Sequence, residues 1–166
     1  DDKRVGLEEF SAALDANWQG FEKLRLQIRN SPIKYGNNNP EADRYAAAIA
    51  DYYSGRVNNI PNGRGGVYKA IMHSARTFIE QGKKTLASAD SRKNGDILSK
   101  NASPCDGMDK NGVTALIESA LRLTPSNFHE SFCLDIMLHP SAISGDAGLR
   151  VFNSLLKTYM ALGGMA

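Results

Sequence analysis

The sequence predicts an α/β fold in place of a helical bundle, and three observations carry that reading. Apolar residues recur every three or four positions through residues 6–30 and again through 145–164, the period of amphipathic helices. "SFCLDIMLHP", residues 131–140, alternates apolar and polar residues as a strand does. Clusters of Gly, Pro and Asn at 31–40 and 58–66 punctuate the chain between these segments.

The first helix is expected over "GLEEFSAALDANWQGFEKLRLQIRN", with Leu7, Phe10, Leu14, Trp18, Phe21, Leu24 and Ile28 on one face and a kink at Gly20. Pro40 and Glu41 suit the first turn of a second helix, because proline has no N–H to leave unpaired and glutamate complements the helix dipole. That helix, "EADRYAAAIADYYSGRV", carries Tyr45, Ile49 and Tyr52 or Tyr53 along a face. "VYKAIMHSARTFIEQG" has no clean period, and residues 74–79 are read as a strand. A helix over "GVTALIESALRL" precedes the strand at 131–140. The last helix turns Leu149, Phe152, Leu155, Leu156 and Tyr159 inward and ends at Gly163. One or two strands are too few to close a sheet.

The 166 residues suit one domain with a real core. Twenty basic residues against eighteen acidic leave a net charge of +2 without any like-charge block, which argues against nucleic-acid or anionic-membrane surfaces. Cys105 and Cys133 lack CxxC or CxxH neighbours, so neither a zinc site nor a disulfide scaffold is expected, and a reducing, intracellular setting is. No apolar run is long enough to span a bilayer, and no signal peptide stands out. The chain opens on "DDKRVG" without methionine and stops at "LGGMA", which reads as a piece of something longer.

Few residues invite chemistry. His73, His129 and His139 form no metal or triad pattern and read as structural or surface histidines. "GRGG" and "GMDKNG" fit neither nucleotide-loop pattern, and Asp106 with Asp109 lacks the glutamate that completes a calcium loop. Cys105 lies among acids that disfavour a thiolate. On a strand over 74–79, Ser74, Arg76 and Phe78 share a face, and an inward Arg76 calls for an anion. The other reading of Arg76 is a helical arginine turned to solvent. Cys133, Asp135 and Met137 share one face of the later strand, toward a core or a pocket.

Four stretches in order carry a resemblance. "ANWQGFEKLRLQIRNSPIKYGNNNPEAD", "GKKTLASADSRKNGD", "NASPCDGMDKNGVTALIESALRL" and "CLDIMLHPSAISGDAGLRVFNSLLKTYMALGG" resemble successive motifs of the glycyl radical enzymes, the pyruvate formate-lyase-like superfamily. Ser91 stands where that family usually has glycine, Val113 where it has proline, and Ala70-Ile71 where Pro-Gly is common.

The resemblance implies a late part of a ten-stranded α/β barrel. It implies radical cleavage of a small substrate, by lyase, decarboxylase or dehydratase chemistry, through a thiyl radical generated by a glycyl radical. It also implies a radical S-adenosylmethionine activating enzyme as partner, a homodimer and an anaerobic setting. No Cys-x-Glu and no "SGY" occurs here, so the thiyl cysteine and the radical glycine are expected outside these residues, with no catalytic residue and no metal in the chain, and with the fragment inactive alone. Within it, Ser74, Arg76, Phe78, Cys133, Asp135 and Met137 are the candidate substrate-binding residues, Arg76 favouring a carboxylate or sulfonate. Asp90, Arg92 and Asp109 are expected to fix the loop over 87–112. The alternative is a free-standing, non-catalytic domain that binds a small anion or completes a barrel.

Overall fold

The computed structural model describes residues 5–164. Its helices are α1 (Leu7–Asp15), α2 (Glu22–Arg29), α3 (Pro40–Val57), α4 (Thr77–Gly82), α5 (Gly112–Leu121) and α6 (Gly145–Ala161), with 3₁₀ turns at Pro125–Asn127 and Pro140–Ala142. The described chain falls into two compact units. One runs to Pro32 and then takes Ala75–Leu98; the other takes Ile33–Ser74 and continues from Ser99. No helix among the described residues is long and apolar enough to cross a membrane.

In the first unit the helix expected over 6–30 is two helices. The Trp18 N–H donates to the Ala13 carbonyl at 2.8 Å and the Asn17 N–H to Leu14 at 2.9 Å, the paired bonds of a Schellman stop. Asn17, Trp18 and Gly20 have φ of 50°, 66° and 79°, so the kink at Gly20 is a full break. The break turns Trp18 inward, where it is 1% exposed and meets Phe10 edge-on at 6.0 Å.

The strand expected over 74–79 is absent, and this corrects the sequence reading. Ala75 has φ 41° and Arg76 sits at the N-cap of α4. The short helix is fixed at its far end by Gly82, where a Cβ would lie 2.6 Å from the Asp96 carbonyl oxygen.

In the second unit α3 starts as expected. Asn39 Oδ1 accepts from the N–H of Glu41 at 3.0 Å and of Ala42 at 3.2 Å, with Pro40 in the first turn. Its tyrosine face points outward, however, with Tyr45, Ile49 and Tyr52 60%, 71% and 67% exposed. The buried face is Asp43, Ala50 and Ser54, because small side chains let the helix close on Ala70, Phe128 and Phe132. The guanidinium groups of Arg44 and Arg56 lie over the Tyr45 and Tyr52 rings.

Residues 131–138 form no strand. They pair through a parallel bridge, Met72 with Phe132, built from Met72 N–H to Ser131 O at 2.8 Å and Cys133 N–H to Met72 O at 3.2 Å, and Pro61 and Val67 form an antiparallel bridge elsewhere in the unit. On the other side the Ala102 N–H reaches Cys133 O at 3.0 Å, so three segments lie side by side. α6 ends as predicted, with Gly163 at φ 91° in a second Schellman stop. Of its expected inward residues, Leu155 and Tyr159 are half-buried and line an apolar groove with Phe152, Leu156, Ile117 and Phe132, whereas Leu149 is 58% exposed.

Ser91 is buried at φ 84°, a conformation that suits the glycine usual in the resembling family. Ser91→Gly is therefore expected to raise stability by up to about 1 kcal/mol, the relieved left-handed strain less the added chain entropy. Denaturant unfolding of the variant beside the parent protein checks this.

Candidate functional site

The second unit holds an open cleft of about 850 Å³, lined by Ser103, Asp106, Asp109, Asp135 and Met137 among others. The loop that carries part of its wall is held by a turn about 70 residues earlier in the chain. Gly36, at φ 93°, lets the turn close on Pro104, where a Cβ would lie 2.6 Å from Cγ. Asn37, 8% exposed, then bonds the loop before α5 with its whole carboxamide. Nδ2 donates to Met108 O at 2.6 Å, and Oδ1 accepts from the N–H groups of Lys110 at 2.7 Å and Asn111 at 3.0 Å. Asn111 returns a bond from its own Nδ2 to Asn37 O at 3.1 Å.

Tyr35 Oη donates to Ala102 O at 2.6 Å, and burial pushes its phenol well above the ordinary range, with the nearby Asp43 charge adding to the effect. Asn38 N–H donates to Ser119 Oγ at 2.8 Å, and that hydroxyl donates to Asp43 Oδ2 at 3.0 Å. Asp43 is wholly buried, pairs with Arg122 Nε at 3.6 Å, and leaves Oδ1 without a partner. Burial pushes its carboxyl above the usual aspartate range, against the opposing Ser119 bond and Arg122 charge.

The candidate residues separate between the units. Ser74, Cys133, Asp135 and Met137 belong to the second. Ser74 and Asp135 are joined through Asn101, whose Oδ1 accepts from the Ser74 N–H at 2.7 Å while Nδ2 donates to Asp135 Oδ2 at 2.6 Å. Ser103 Oγ accepts from the Asp135 N–H at 2.8 Å and donates to its carbonyl at 3.1 Å. Met137 is 94% exposed on the cleft, and half-buried Cys133 has Sγ 3.2 Å from Ser131 Oγ. Arg76 and Phe78 lie in the first unit, Arg76 exposed and Phe78 half-buried. Because α4 replaces the strand, the alternation that put Ser74, Arg76 and Phe78 on one face does not hold.

Asn101 and Ser103 escaped the sequence reading, although "NAS" opens one of the resembling motifs. Cys105 Sγ lies 3.1 Å from Ser99 Oγ, and His139 Nδ1 caps the turn at Ser141. Among the described residues no three His, Cys, Asp or Glu side chains gather as metal ligands would. In the first unit Arg92 does fix its loop. Its guanidinium donates to Ser88 Oγ at 3.1 Å and to the carbonyls of Thr85, Leu86, Lys93 and Asp96, while its own carbonyl accepts from Trp18 Nε1 at 3.0 Å. Asp90 accepts from Ser88 Oγ in the same loop.

Residues 1–82 match the pyruvate formate lyase-like family and residues 98–166 the glycine radical family. The chain belongs to the glycyl radical enzyme superfamily. It is 30% identical over 164 residues to trans-4-hydroxy-L-proline dehydratase of Clostridioides difficile, covering 99% of this chain and 21% of that protein. Over 149 residues it is 34% identical to the 4-hydroxyphenylacetate decarboxylase glycyl radical subunit of Clostridium scatologenes, covering 87% of this chain and 16% of that protein. The solved structure of the glycerol-bound, B12-independent glycerol dehydratase of Clostridium butyricum superposes with a TM-score of 0.91 at 30% identity, over 99% of this chain and 21% of the other. Further relatives include a (2S)-3-sulfopropanediol dehydratase and isethionate sulfite-lyases. The chain thus spans about a fifth of the length of the curated relatives it matches. The chain is helix-rich, and the "KYGNNNPEAD" that resembles a motif of this superfamily is the turn that holds the cleft loop.

Asn37→Ala is expected to cost roughly 3 kcal/mol, because it strands buried partners at Met108, Lys110 and Asn111; denaturant unfolding measures it. Asp43 gives a pH signature. Its folded pKa lies above the unfolded value, so its contribution is fully present below the ordinary aspartate pKa and is lost as pH rises through the folded value. Thermal midpoints against pH are expected to show that loss, with Asp43→Asn flattening it.

Proposed function

We propose that this chain is a portion of a glycyl radical enzyme that cleaves a bond of a small substrate by lyase, decarboxylase or dehydratase chemistry, within a ten-stranded barrel. The observation that carries the site is Asp135 on the cleft wall, held by Asn101, which also bonds Ser74. Asp135 offers a carboxylate to a small polar molecule, with Met137 also on the cleft wall, and Ser74 and Cys133 belong to the same unit. The cleft carries Asp106, Asp109 and Asp135, and Lys100 sits 3.7 Å from Asp106. That charge balance suits a hydroxyl-bearing neutral group at this point better than a carboxylate or sulfonate, and Arg76 and Phe78 take no part in this reading. A thiyl radical, raised by a glycyl radical on another part of the polypeptide, supplies the hydrogen abstraction. Residues 1–166 contribute binding and orientation, and are inactive alone. A radical S-adenosylmethionine activating enzyme, a homodimer and an anaerobic cytoplasm complete the reading.

The test is anaerobic activation of the complete polypeptide carrying this sequence, followed by electron paramagnetic resonance and turnover assays with glycerol, trans-4-hydroxy-L-proline and isethionate. A glycine-centred radical is expected, with turnover of a hydroxyl-bearing probe that falls at least about tenfold in kcat/KM in Asp135→Asn. A native product bounded by Asp1 and Ala166, or a polypeptide that acquires no radical, contradicts the proposal.

A further inference from the structure

Asn101 has φ 50°, in the left-handed region that asparagine tolerates better than most residues. From that position its carboxamide reaches two separate segments. Oδ1 accepts from the Ser74 N–H at 2.7 Å and the Ser74 hydroxyl at 3.1 Å, and Nδ2 donates to Asp135 Oδ2 at 2.6 Å. The Asn101 N–H also donates to Ser74 Oγ at 3.1 Å. The amide offers an acceptor to Ser74 and a donor to Asp135 from one short side chain. A carboxylate would set two negative groups together, and a smaller residue would leave both partners loose.

We propose that Asn101 is a positioning residue for the cleft: its amide, anchored on Ser74, holds the cleft-lining Asp135 carboxylate in one orientation. Ser103 clamps the Asp135 backbone at both its N–H and its carbonyl, so the carboxylate has one remaining degree of freedom that matters, its side-chain rotation, and Asn101 removes it. Oδ2 is committed to the amide and Oδ1 is left to meet a ligand hydroxyl. This inference rests on the reading of the cleft as the substrate site.

Three variants of the complete polypeptide test it. Asn101→Gly suits the left-handed backbone and removes the side chain alone. Asn101→Asp sets two carboxylates against each other, and the pair can share a proton in acid. The exchange Asn101→Asp with Asp135→Asn restores a donor facing an acceptor, with the two positions reversed. The thermal midpoint of Asn101→Asp is expected to fall at about pH 8 and recover at about pH 5, and the exchange to restore it at about pH 8. An equal loss at both pH values, or no rescue by the exchange, overturns the bridge.

Binding of glycerol, trans-4-hydroxy-L-proline and isethionate by calorimetry supplies the second arm. Asn101→Gly and Asp135→Asn are each expected to weaken the bound probe by about tenfold, and the double variant no further. If Asp135→Asn weakens binding and Asn101→Gly does not, the positioning role fails while the substrate cleft stands. If neither weakens it, or no probe binds, the substrate-cleft reading fails, and the bridge is judged on the pH arm.

Discussion

The carboxamide of Asn37 is the constraint on which the second unit depends. A buried amide must place both its donor and its acceptor, and the cost of leaving one unpaired is larger than the net value of the bond when made. Asn37 meets that demand with Met108, Lys110 and Asn111, more than 70 positions along the chain. These bonds tie the loop before α5, and with it the start of α5, to the 35–38 turn. Asn38, Ser119 and Asp43 then bind α3 to α5 through a second polar chain, in which the buried aspartate is the strained member.

Side-chain amides recur wherever a sheet ladder would otherwise do the joining. Asn58 donates through Nδ2 to Asn127 O at 2.8 Å and accepts through Oδ1 from the Ala70 N–H at 2.7 Å. Residue 70 is a position where the superfamily often has proline, which has no N–H to give. Here the alanine N–H is present and the asparagine uses it. Asn101 links the 70–74 segment to the 131–137 segment in the same way, and Met72 with Phe132 supplies the one backbone bridge between them. Such bonds depend on particular residues, whereas a ladder tolerates any residue but proline. This explains why the turn sequences of the chain are more specific than its apolar periods.

Much of the fold was legible because its signals are local. Asn39 followed by Pro40 and Glu41 marks a helix start wherever it stands, and Gly163 marks a stop. The inner face of α3 was not legible: its tyrosines have the larger hydrophobic signal, but tertiary packing buries Asp43, Ala50 and Ser54. The break at Trp18 depends on Arg92, 74 residues away, so the period of residues 6–30 could only suggest a kink. Residues 74–79 failed for a related reason, since the helix there is fixed by backbone approach at Gly82. Of the candidate site, Ser74 rests on a strand register over 74–79 that the structure lacks, and Asp135 on the alternation along residues 131–140. Asn101, which joins them, offers no chemistry of its own and is visible only once three distant segments meet.

The most direct measurement is amide hydrogen exchange across 101–111 in the complete polypeptide. If side-chain amides hold this segment, the N–H groups of Lys110 and Asn111 exchange as slowly as those inside α5, although they lie outside any helix. Exchange of those two amides at the unprotected rate of an exposed loop would contradict that account.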